Sequence, residues 1–573
     1  MGFLIKYNLK QNFQSLTLKS YQEIIKSKDN SIWYDEDLKG QKVYRRNIDN
    51  TNLLVFGDLV NESKATELST WIKESKGNYI VIKEESTKIE IVSSMFSILP
   101  IFYEIEDDVL WVSDRLEYII NANVKQRDWS NIHLLERLLF NYTLTNRTYY
   151  DSISQLDVHT ILTLSAKGMD FTKHTDIFKL YKQNPNSIIK SKKKIVASFE
   201  DTVKSYLVSE PYAVAFTGGF DGRCIVAASL KYNKNFLSYS FGSSKSMDVY
   251  IPKSIATRLK INYRFINLDD DYVNNTFEGH AREIVSASGG MATFSRAHYH
   301  FGAEKLGEEF NYLLSGNFGS ELFRSAHLDG VMTTDLLYVW IKDGLPKNWT
   351  KFIKEYPRFK FLKANEFETP YNELAIELNN LRKDLPDIPL NAKLYYFLWS
   401  QTLRNYFGAE LVMQQKQIIH RSPFLDFDFF VLLQNTQFSG AYGNFREKNL
   451  IKRLKGQLFY AYYLKRTNKS LFREITGKGY KPSDILSPVG LLRMVIAKGL
   501  KKKIVVDDSD PLNVNRSFKK VEDKIVNRAK NYFENYFHYL PSEDDRHFKT
   551  ILSLSIFLDG QQKKVKIKNG EKN

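Results

Sequence analysis

The alternation of hydrophobic and polar positions predicts strands in the first third of the chain. Apolar residues alternate on either side of charged turns, which predicts two hairpins. The pattern of 134–140 is helical, and that of 160–164 is again strand-like. The first 180 or so residues are therefore expected to form mainly strands with two or three helices. The hairpin strands are 79–83 with 88–93, and 101–103 with 109–112.

A second pattern begins after the polar break at 183–186. A basic stretch opens an amphipathic helix through Leu207, and short apolar runs then alternate with helical segments. Strands that alternate with helices favour a parallel, helix-covered sheet. After about residue 329 the chain is predicted to be mostly helical, and from Gln561 it is polar and predicted to be disordered. The apolar runs are 212–216, 236–241, 263–268 and 310–314.

Composition limits the class of protein. At 573 residues the chain is too long for one core, and 43% hydrophobic with 26% charged residues is typical of a globular protein in water. The single cysteine excludes intrachain disulfides and cysteine-built metal sites. Neither a membrane helix nor a signal peptide is predicted, so we expect a cytoplasmic protein.

The net charge of +16 raises the question of nucleic-acid binding. Much of the excess lies in short lysine runs at 190–194, 498–503 and 563–568. Such runs are usually solvated faces or chain ends, so we do not expect a nucleic-acid partner. A nucleotide, an acidic substrate or a polyanionic surface stays open as an alternative.

A glycine-containing turn between a strand and a helix carries the clearest chemistry. It lies in the string from Ala213 to Arg223 (AVAFTGGFDGR). Backbone N–H groups at such a turn, with the positive end of the helix, form a cradle for phosphate. Asp221 would then hold Mg²⁺ against that phosphate. The spacing excludes a Walker loop, which needs G-x-x-x-x-G-K-[ST].

This string resembles the S-G-G-x-D-S pyrophosphate loop of the adenylating ATP pyrophosphatases. Other segments resemble the asparagine synthetases and their relatives, in the same order along the chain. In the C-terminal half they are SYSFG ending at Gly242, LLSGNFGSELF from Leu313, HRSPFLD from His420 and GKGYKP from Gly477. In the N-terminal half, KGNYI from Lys76, Ser94 to Tyr103, and Tyr149 to Leu164 resemble the family's amidotransferase domain.

The resemblance covers about residues 45 to 490 and implies an α/β protein of two domains. An Ntn-hydrolase-like αββα sandwich, similar to a class II glutamine amidotransferase, would span 1–182. An adenine-nucleotide α-hydrolase-like parallel-sheet domain of the PP-loop ATP pyrophosphatase type, with a helical C-terminal part, would span 183–560, followed by a basic tail over 561–573.

The resemblance also implies ATP and Mg²⁺ as cofactors. Asp221 would bind the metal, and Glu321 and Lys478 would be catalytic, Lys478 as the cation that stabilises charge while an acyl-adenylate breaks down. The nucleotide-binding residues it implies are Thr217, Gly218, Gly219, Asp221, Gly222, Arg223, Phe241, Ser315 and Gly316.

The first domain departs from the family where glutamine is hydrolysed. Gly2 occupies the place of the nucleophilic cysteine, and the only cysteine, Cys224, is interpreted as a packing residue. The positions that grip glutamine have also changed, so we expect no glutaminase activity. These positions are Phe56-Gly57-Asp58 for N-G-E, Lys76 for an aspartate, and Ser94-Met95 for D-R.

The synthetase half departs too. The loop ends in Gly222 instead of serine, and Asn317 and Ser320 replace a glutamate and a metal-binding aspartate, which leaves Glu321 as the acidic residue there. Asp248 either compensates as a metal ligand or is a solvated residue at a helix start.

Two further residues keep two interpretations each. Arg223 either pairs with Glu321 or touches phosphate, and Lys478 is either the catalytic cation or an exposed loop lysine. His298 and His300 form an H-x-H that only rarely marks a metal site.

The leading hypothesis is an ATP-dependent amide-bond-forming ligase that activates a small-molecule or peptide carboxylate as acyl-adenylate and releases pyrophosphate. The amine donor would be ammonia, a second substrate or the same molecule, as in the β-lactam synthetases and lasso-peptide cyclases that the layout resembles. One alternative is a degenerate relative that binds a nucleotide without ligation. Another is an RNA-modifying PP-loop protein, which commonly needs catalytic cysteines. Oligomeric state, the acid, the amine and the pathway stay open.

Overall fold

The computed structural model describes residues 2–10, 13–34, 42–48, 51–181, 184–324, 334–443, 447, 449–499, 509–542 and 545–570. All structural statements below concern these residues. The chain forms two mainly antiparallel sheets first, the first of them with β2 parallel to β3, and a parallel, helix-covered sheet afterwards.

The first part consists mainly of strands. Its elements in chain order are β1 Phe3–Asn8, β2 Thr17–Leu18, α1 Tyr21–Lys26, β3 Ser31–Tyr34, β4 Lys42–Ile48, β5 Thr51–Asn61, α2 Leu68–Glu74, β6 Lys76–Glu84, β7 Lys88–Ser93, β8 Phe102–Glu106, β9 Val109–Ser113, α3 Leu116–Ala122, α4 Asn131–Phe140, β10 Ile153–Gln155, β11 Thr160–Ser165 and β12 Gly168–Lys173.

Two sheets pack face to face in this part. Their strand orders are β10-β8-β9-β1-β3-β2 and β12-β11-β7-β6-β5-β4. Alternation along β1 sends Phe3 and Ile5 into the core between the sheets, where they join Ile80 and Ile82 of β6. Leu4 points the other way, against α3 and α4. Trp71 of α2 covers the outer face of the second sheet, so helices lie on both outer faces.

The second part alternates strands and helices and then becomes helical. Its elements are α5 Ile188–Tyr206, β13 Tyr212–Ala215, α6 Asp221–Tyr232, β14 Phe236–Gly242, α7 Met247–Leu259, β15 Tyr263–Asn267, α8 Phe277–Ala287, α9 Ala297–Gly307, β16 Tyr312–Leu314, α10 Gly319–Arg324, α11 Asp335–Asp343, α12 Trp349–Glu355, α13 Ala364–Lys383, α14 Leu390–Phe397, α15 Gly408–Gln414, β17 Ile419–Arg421, α16 Phe427–Gln434, α17 Leu450–Thr467, α18 Lys469–Phe472, α19 Pro482–Ile485, α20 Pro488–Gly499, α21 Val514–Phe533 and α22 Arg546–Gly570.

Short irregular helices complete the second part and its junction with the first. They are π-helical at Tyr272–Thr276 and Leu398–Phe407, and 3₁₀-helical at Ile177–Leu180, Phe294–Arg296, Pro357–Phe359, Pro423–Leu425 and Gly440–Tyr442.

The second part is built on a parallel sheet of order β15-β14-β13-β16-β17. Both faces of its central strand β13 are covered, as expected for a parallel sheet. Tyr212 and Val214 pack toward α5, α6 and α17, whereas Ala213 packs toward α9. The nucleotide-loop candidates follow β13 and β16, so they meet at one edge of this sheet.

The structure confirms most of the elements predicted from hydrophobic patterning. Both hairpins are present, as β6–β7 and β8–β9, and the strand and helix that flank the glycine turn are β13 and α6. The disorder predicted from Gln561 onward is not found over 561–570, where α22 continues to Gly570, and residues 571–573 lie outside the described residues. The predicted domain boundary near residue 183 stays a prediction, and residues 182 and 183 lie outside the described residues.

Candidate functional site

The turn after β13 brings backbone N–H groups to the start of α6. Gly218 N–H donates to Asp248 Oδ1 at 3.0 Å, and Gly219 N–H donates to the Thr217 hydroxyl at 3.4 Å. Asp248 is exposed, so its carboxylate at the first turn of α7 can move away from the turn. A carboxylate oxygen thus lies where the loop presents an N–H to an anion.

The loop after β16 approaches this turn so closely that only glycine fits. A Cβ at Gly316 would lie 2.3 Å from the carbonyl carbon of Asp221, and one at Gly319 would lie 2.5 Å from Asp221 Oδ1. Ser320 Oγ donates to Asp221 Oδ2 at 3.0 Å. The two loops that resemble separate family motifs are therefore in direct contact around one carboxylate.

Asp221 keeps one oxygen without a protein partner. Its Oδ1 is buried and accepts no hydrogen bond from the described residues. A buried, unpaired carboxylate oxygen is costly, and a cation would satisfy it. Among hard cations, Mg²⁺ prefers such oxygen ligands, so the geometry fits the metal that the sequence predicts.

A cavity of about 230 Å³ opens at this point. Its lining includes one arginine and three carboxylic acids, which suits a site that receives a cation together with its anionic ligand. The lining residues are Ala215, Thr217, Asp221, Gly222, Arg296, Tyr299, Gly316, Asn317, Phe318, Ser320, Glu321, Phe407 and Glu410.

Sequence reasoning missed the side of the cavity formed by Arg296, Tyr299 and Glu410. Arg296 Nε lies 3.2 Å from Glu410 Oε2, and its guanidinium also donates to the Tyr406 hydroxyl at 3.2 Å. Burial raises the pKa of Glu410, and the neighbouring Arg296 opposes that shift. Arg296 directly precedes α9, and Glu410 lies in α15. The packing of these helices brings the two side chains together, so no local motif could have indicated the pair.

Arg223 lies outside the cavity. It is fully buried, and it donates to the carbonyl oxygens of Glu474 and Ile475, both at 2.8 Å. Burial lowers the pKa of this guanidinium to about 10. Its pairing with Glu321 and its contact with phosphate both stay predictions. Its role is to anchor the segment that leads to Gly477.

Two further nucleotide-site candidates lie behind the cavity wall. Ser315 is buried, and its hydroxyl lies 2.7 Å from His420 Nε2, while its N–H donates to Arg421 O at 3.0 Å. Phe241 contacts the Tyr299 ring, with centroids 5.6 Å apart, and does not itself line the cavity. Both residues therefore support lining residues.

The segment around Lys478 closes over the glycine turn. Gly477 N–H donates to Gly218 O at 2.9 Å, which joins the late motif to the first loop. Lys478 is exposed, and its Nζ lies 5.9 Å from the centroid of the Phe220 ring. The structure thus brings Lys478 next to the loop but outside the cavity lining.

Gly222 stands where the resembling asparagine synthetases have serine, at a point too close to β13 for a side chain. A Cβ at this position would lie 2.5 Å from Ala215 O, in the strand that precedes the turn. The start of α6 is therefore packed against β13 more closely than any side chain permits.

In the first part, a side chain at position 2 would require the ring of Tyr118 to move. A Cβ on Gly2 would lie 2.0 Å from Tyr118 Cε2. The neighbouring Phe3 N–H donates to Asp114 Oδ1 at 2.8 Å, which holds the start of β1 against Tyr118 and its helix. The aromatic ring fills the space where a catalytic side chain would have to stand.

Asp58 and Lys76 stand at positions where the resembling family binds glutamine, and both form ion pairs with the second part. Asp58 accepts two hydrogen bonds from Arg421, at 2.6 and 2.8 Å, in a buried bidentate pair. Lys76 Nζ lies 2.9 Å from Asp426 and 3.0 Å from Asp428. Of these partners, Arg421 and Asp426 belong to the HRSPFLD segment, and Asp428 lies two residues after it.

Among the described residues, no helix combines the length and apolar character that crossing a lipid bilayer requires.

Comparisons with known proteins give only remote structural similarity. No protein-family model matches the chain, and no curated protein matches it. It is similar to the structure of glutamine phosphoribosylpyrophosphate amidotransferase from B. subtilis complexed with ADP and GMP, with TM-score 0.19 and 10% identity over 48% of this chain and 61% of that one. It is also similar to a structure titled the allosteric regulatory enzyme of purine biosynthesis, with TM-score 0.19 and 12% identity over 38% of this chain and 54% of that one. The chain thus spans less than two thirds of either structure, and similarity at these TM-scores carries no argument about function.

Proposed function

We propose that the chain binds ATP with Mg²⁺ in the cavity after β13 and β16 and uses them to activate a carboxylate for amide-bond formation. The observation that carries this proposal is the contact of the two loops around Asp221, which lines a cavity of about 230 Å³ and whose buried Oδ1 has no hydrogen-bond partner among the described residues. Ligands of open α/β sheets bind outside the carboxyl ends of the strands, which is where this cavity lies. The order of motifs that resembles asparagine synthetase-like ligases supports the same function.

In this proposal the β13 turn holds the triphosphate. The N–H groups of Gly218 and Gly219 and the N-terminus of α6 face its oxygens, and Asp248 yields its place on Gly218. Asp221 holds Mg²⁺, and Glu321 supplies a second carboxylate on the cavity wall. The metal neutralises phosphate charge, as Mg²⁺ does in nucleotide sites.

The proposed reaction has two steps. A substrate carboxylate oxygen attacks the α-phosphorus of ATP, so that a new O–P bond forms and pyrophosphate leaves. An amine nitrogen then attacks the acyl carbon, AMP leaves, and the amine loses a proton. Glu410 is placed to accept that proton, because burial raises its pKa at the cavity wall. Lys478 would supply positive charge from outside the glycine turn.

The amine does not come from glutamine in this proposal. Tyr118 occupies the space beside Gly2, and Asp58 and Lys76 are engaged by the second part. We propose that the first part is an Ntn-hydrolase-like αββα sandwich retained for its interface, as the layering of helices and two sheets supports.

Nucleotide binding without ligation is the second candidate. It is favoured by Ser320, which donates its hydroxyl to Asp221 where the resembling family has a metal-binding carboxylate. An RNA-modifying enzyme with a catalytic cysteine is disfavoured, because Cys224 is fully buried and burial raises its thiol pKa well above the ordinary value.

The test is thermal unfolding of the full chain with and without Mg²⁺ and a non-hydrolysable ATP analogue. At one hundred times its dissociation constant, the analogue should stabilise the folded state by about 2.7 kcal/mol. Asp221→Ala should lose this effect, whereas Asp523→Ala, at an exposed position of α21, should keep it. The absence of stabilisation in the unmodified chain refutes the proposal.

A second measurement separates the two candidates. Exchange of labelled pyrophosphate into ATP, driven by a panel of small carboxylic acids and peptides, requires adenylation and not merely binding. Exchange with at least one acid supports the ligase. Binding without exchange across the panel favours the second candidate.

A further inference from the structure

Helices α8 and α9 pack against each other and carry a cluster of histidines and carboxylates between them. His280 and Glu283 are three residues apart on α8, and His300 and Glu304 are four apart on α9. Side chains at these spacings share one face of a helix. One donor atom from each of His280, His300 and Glu304 lies within 4.8 Å of the others.

The two imidazoles face each other through the same ring atom. His280 Nδ1 lies 2.8 Å from His300 Nδ1. Their other nitrogens face carboxylates: His300 Nε2 is 3.2 Å from Glu283 Oε2, and His280 Nε2 is 3.8 Å from Glu304 Oε2.

This arrangement leaves an electrostatic problem at the centre. A carboxylate fixes the hydrogen of a neighbouring imidazole on the facing nitrogen, which leaves the opposite nitrogen as a lone-pair acceptor. If both Nε2 atoms carry the hydrogen, the two Nδ1 lone pairs point at each other across 2.8 Å. A cation between the rings, either a proton or a metal ion, would satisfy both lone pairs.

The two rings are shielded from solvent, whereas the carboxylates beside them are accessible. The His280 and His300 side chains are only 11% and 2% exposed. Glu283 also forms a 2.7 Å ion pair with Lys416. The side chains of Glu283 and Glu304, each about 40% exposed, give a cation an approach from solvent.

We propose that His280, His300 and Glu304 bind one divalent transition-metal ion of the zinc type, with Glu283 orienting His300. Two imidazoles and one carboxylate form a donor set that Zn²⁺ accepts, with a position left for water. The ion ties α8 to α9, the helix that carries Tyr299 to the cavity. The proposal does not depend on nucleotide binding.

The proposal also changes the interpretation of the H-x-H motif. His300 belongs to the cluster, but His298 faces Phe241, with ring centroids 5.1 Å apart. Only one histidine of the motif therefore belongs to the cluster. The partner of His300 is His280, on the preceding helix and twenty residues earlier.

Calorimetric titration of tag-free, chelator-treated full chain with Zn²⁺ tests the proposal, and the visible spectrum with Co²⁺ reports nitrogen ligation. We expect one ion per chain, with affinity reduced about tenfold or more in Glu304→Gln and in His280→Asn. Glu304 is exposed enough that Glu304→Gln should fold normally, which circular dichroism checks. His298→Gln, on the same helix, is the control and should bind like the unmodified chain.

Two results would overturn the proposal. One is the absence of stoichiometric binding at micromolar Zn²⁺ in the unmodified chain, which would leave a shared proton as the only cation between the rings. The other is equal binding by folded Glu304→Gln, folded His280→Asn and the control.

Discussion

The buried pair of Asp58 and Arg421 gives a sharp prediction about how the two parts depend on each other. Its side chains are only 4% and 8% exposed, and both guanidinium–carboxylate contacts are 2.8 Å or shorter. In Asp58→Asn the guanidinium keeps a hydrogen bond to Tyr206 O at 3.1 Å but loses its counter-ion. Removing one partner of a buried pair costs about 3–5 kcal/mol, because the other charge stays buried and uncompensated.

An exposed pair in the same chain provides the matched control. Arg358 and Asp335 form contacts of 2.6 and 2.9 Å, but each side chain is 38% exposed. Solvent screening limits such pairs to about 0.2–1 kcal/mol, which is the cost expected for Asp335→Asn. Urea unfolding of the full chain measures both costs from the transition midpoints and slopes.

The double variant Asp58→Leu, Arg421→Met tests the cause. Replacing both charges by apolar side chains is often neutral or stabilising, so most of the loss in Asp58→Asn should be regained. The reasoning is refuted if Asp58→Asn costs no more than Asp335→Asn, or if the double variant is less stable than Asp58→Asn.

Three other predictions follow from close contacts and buried histidines. Gly222→Ser should destabilise the chain by about 1–3 kcal/mol, because its Cβ would lie 2.5 Å from Ala215 O, and it should not improve nucleotide binding. Thermal unfolding and titration with the ATP analogue measure the two effects, and tighter binding by the variant contradicts the prediction. Gly2→Cys should release no ammonia from glutamine, since Tyr118 fills the space, and measurable hydrolysis contradicts the proposed loss. Burial lowers the pKa of four histidines far below the value of about 6.5 in the unfolded chain, so stability present above pH 6.5 should be lost as pH falls toward 4 and 3; urea midpoints that stay constant over this range contradict it. The four are His159 and His298, with pKa about 3, and His174 and His420, with pKa about 4.

Patterning predicted the elements better than it predicted the contacts among them. The strand, glycine turn and helix around Asp221 are local features, and each is present with nearly the predicted limits. The same holds for the hairpins, whose alternation fixes one face toward the core. By contrast, α22 extends through a polar tail that composition alone had predicted to be disordered.

Contacts between distant segments account for what the sequence could not show. Arg223 follows the loop directly, yet its guanidinium turns to carbonyls some 250 positions later, around Glu474 and Ile475. Arg296 and Glu410 form a cavity wall although neither lies in a recognisable motif. Such pairings depend on how helices pack, and helix packing leaves only hydrophobic periodicity in the sequence.

The order of strands in the parallel sheet has a consequence for biosynthesis. Neighbouring strands β16 and β17 are separated by residues 315–418, all of which must be made before Ser315 N–H can donate to Arg421 O. At about 5–20 residues per second, the ribosome needs roughly 5–20 s for this stretch. During that interval β16 has an open edge, which is a template for wrong pairing with another chain. The loop after β16 thus reaches its final contacts only after β17 has been made. A nascent chain that pauses between residues 314 and 419 would be the form most exposed to aggregation.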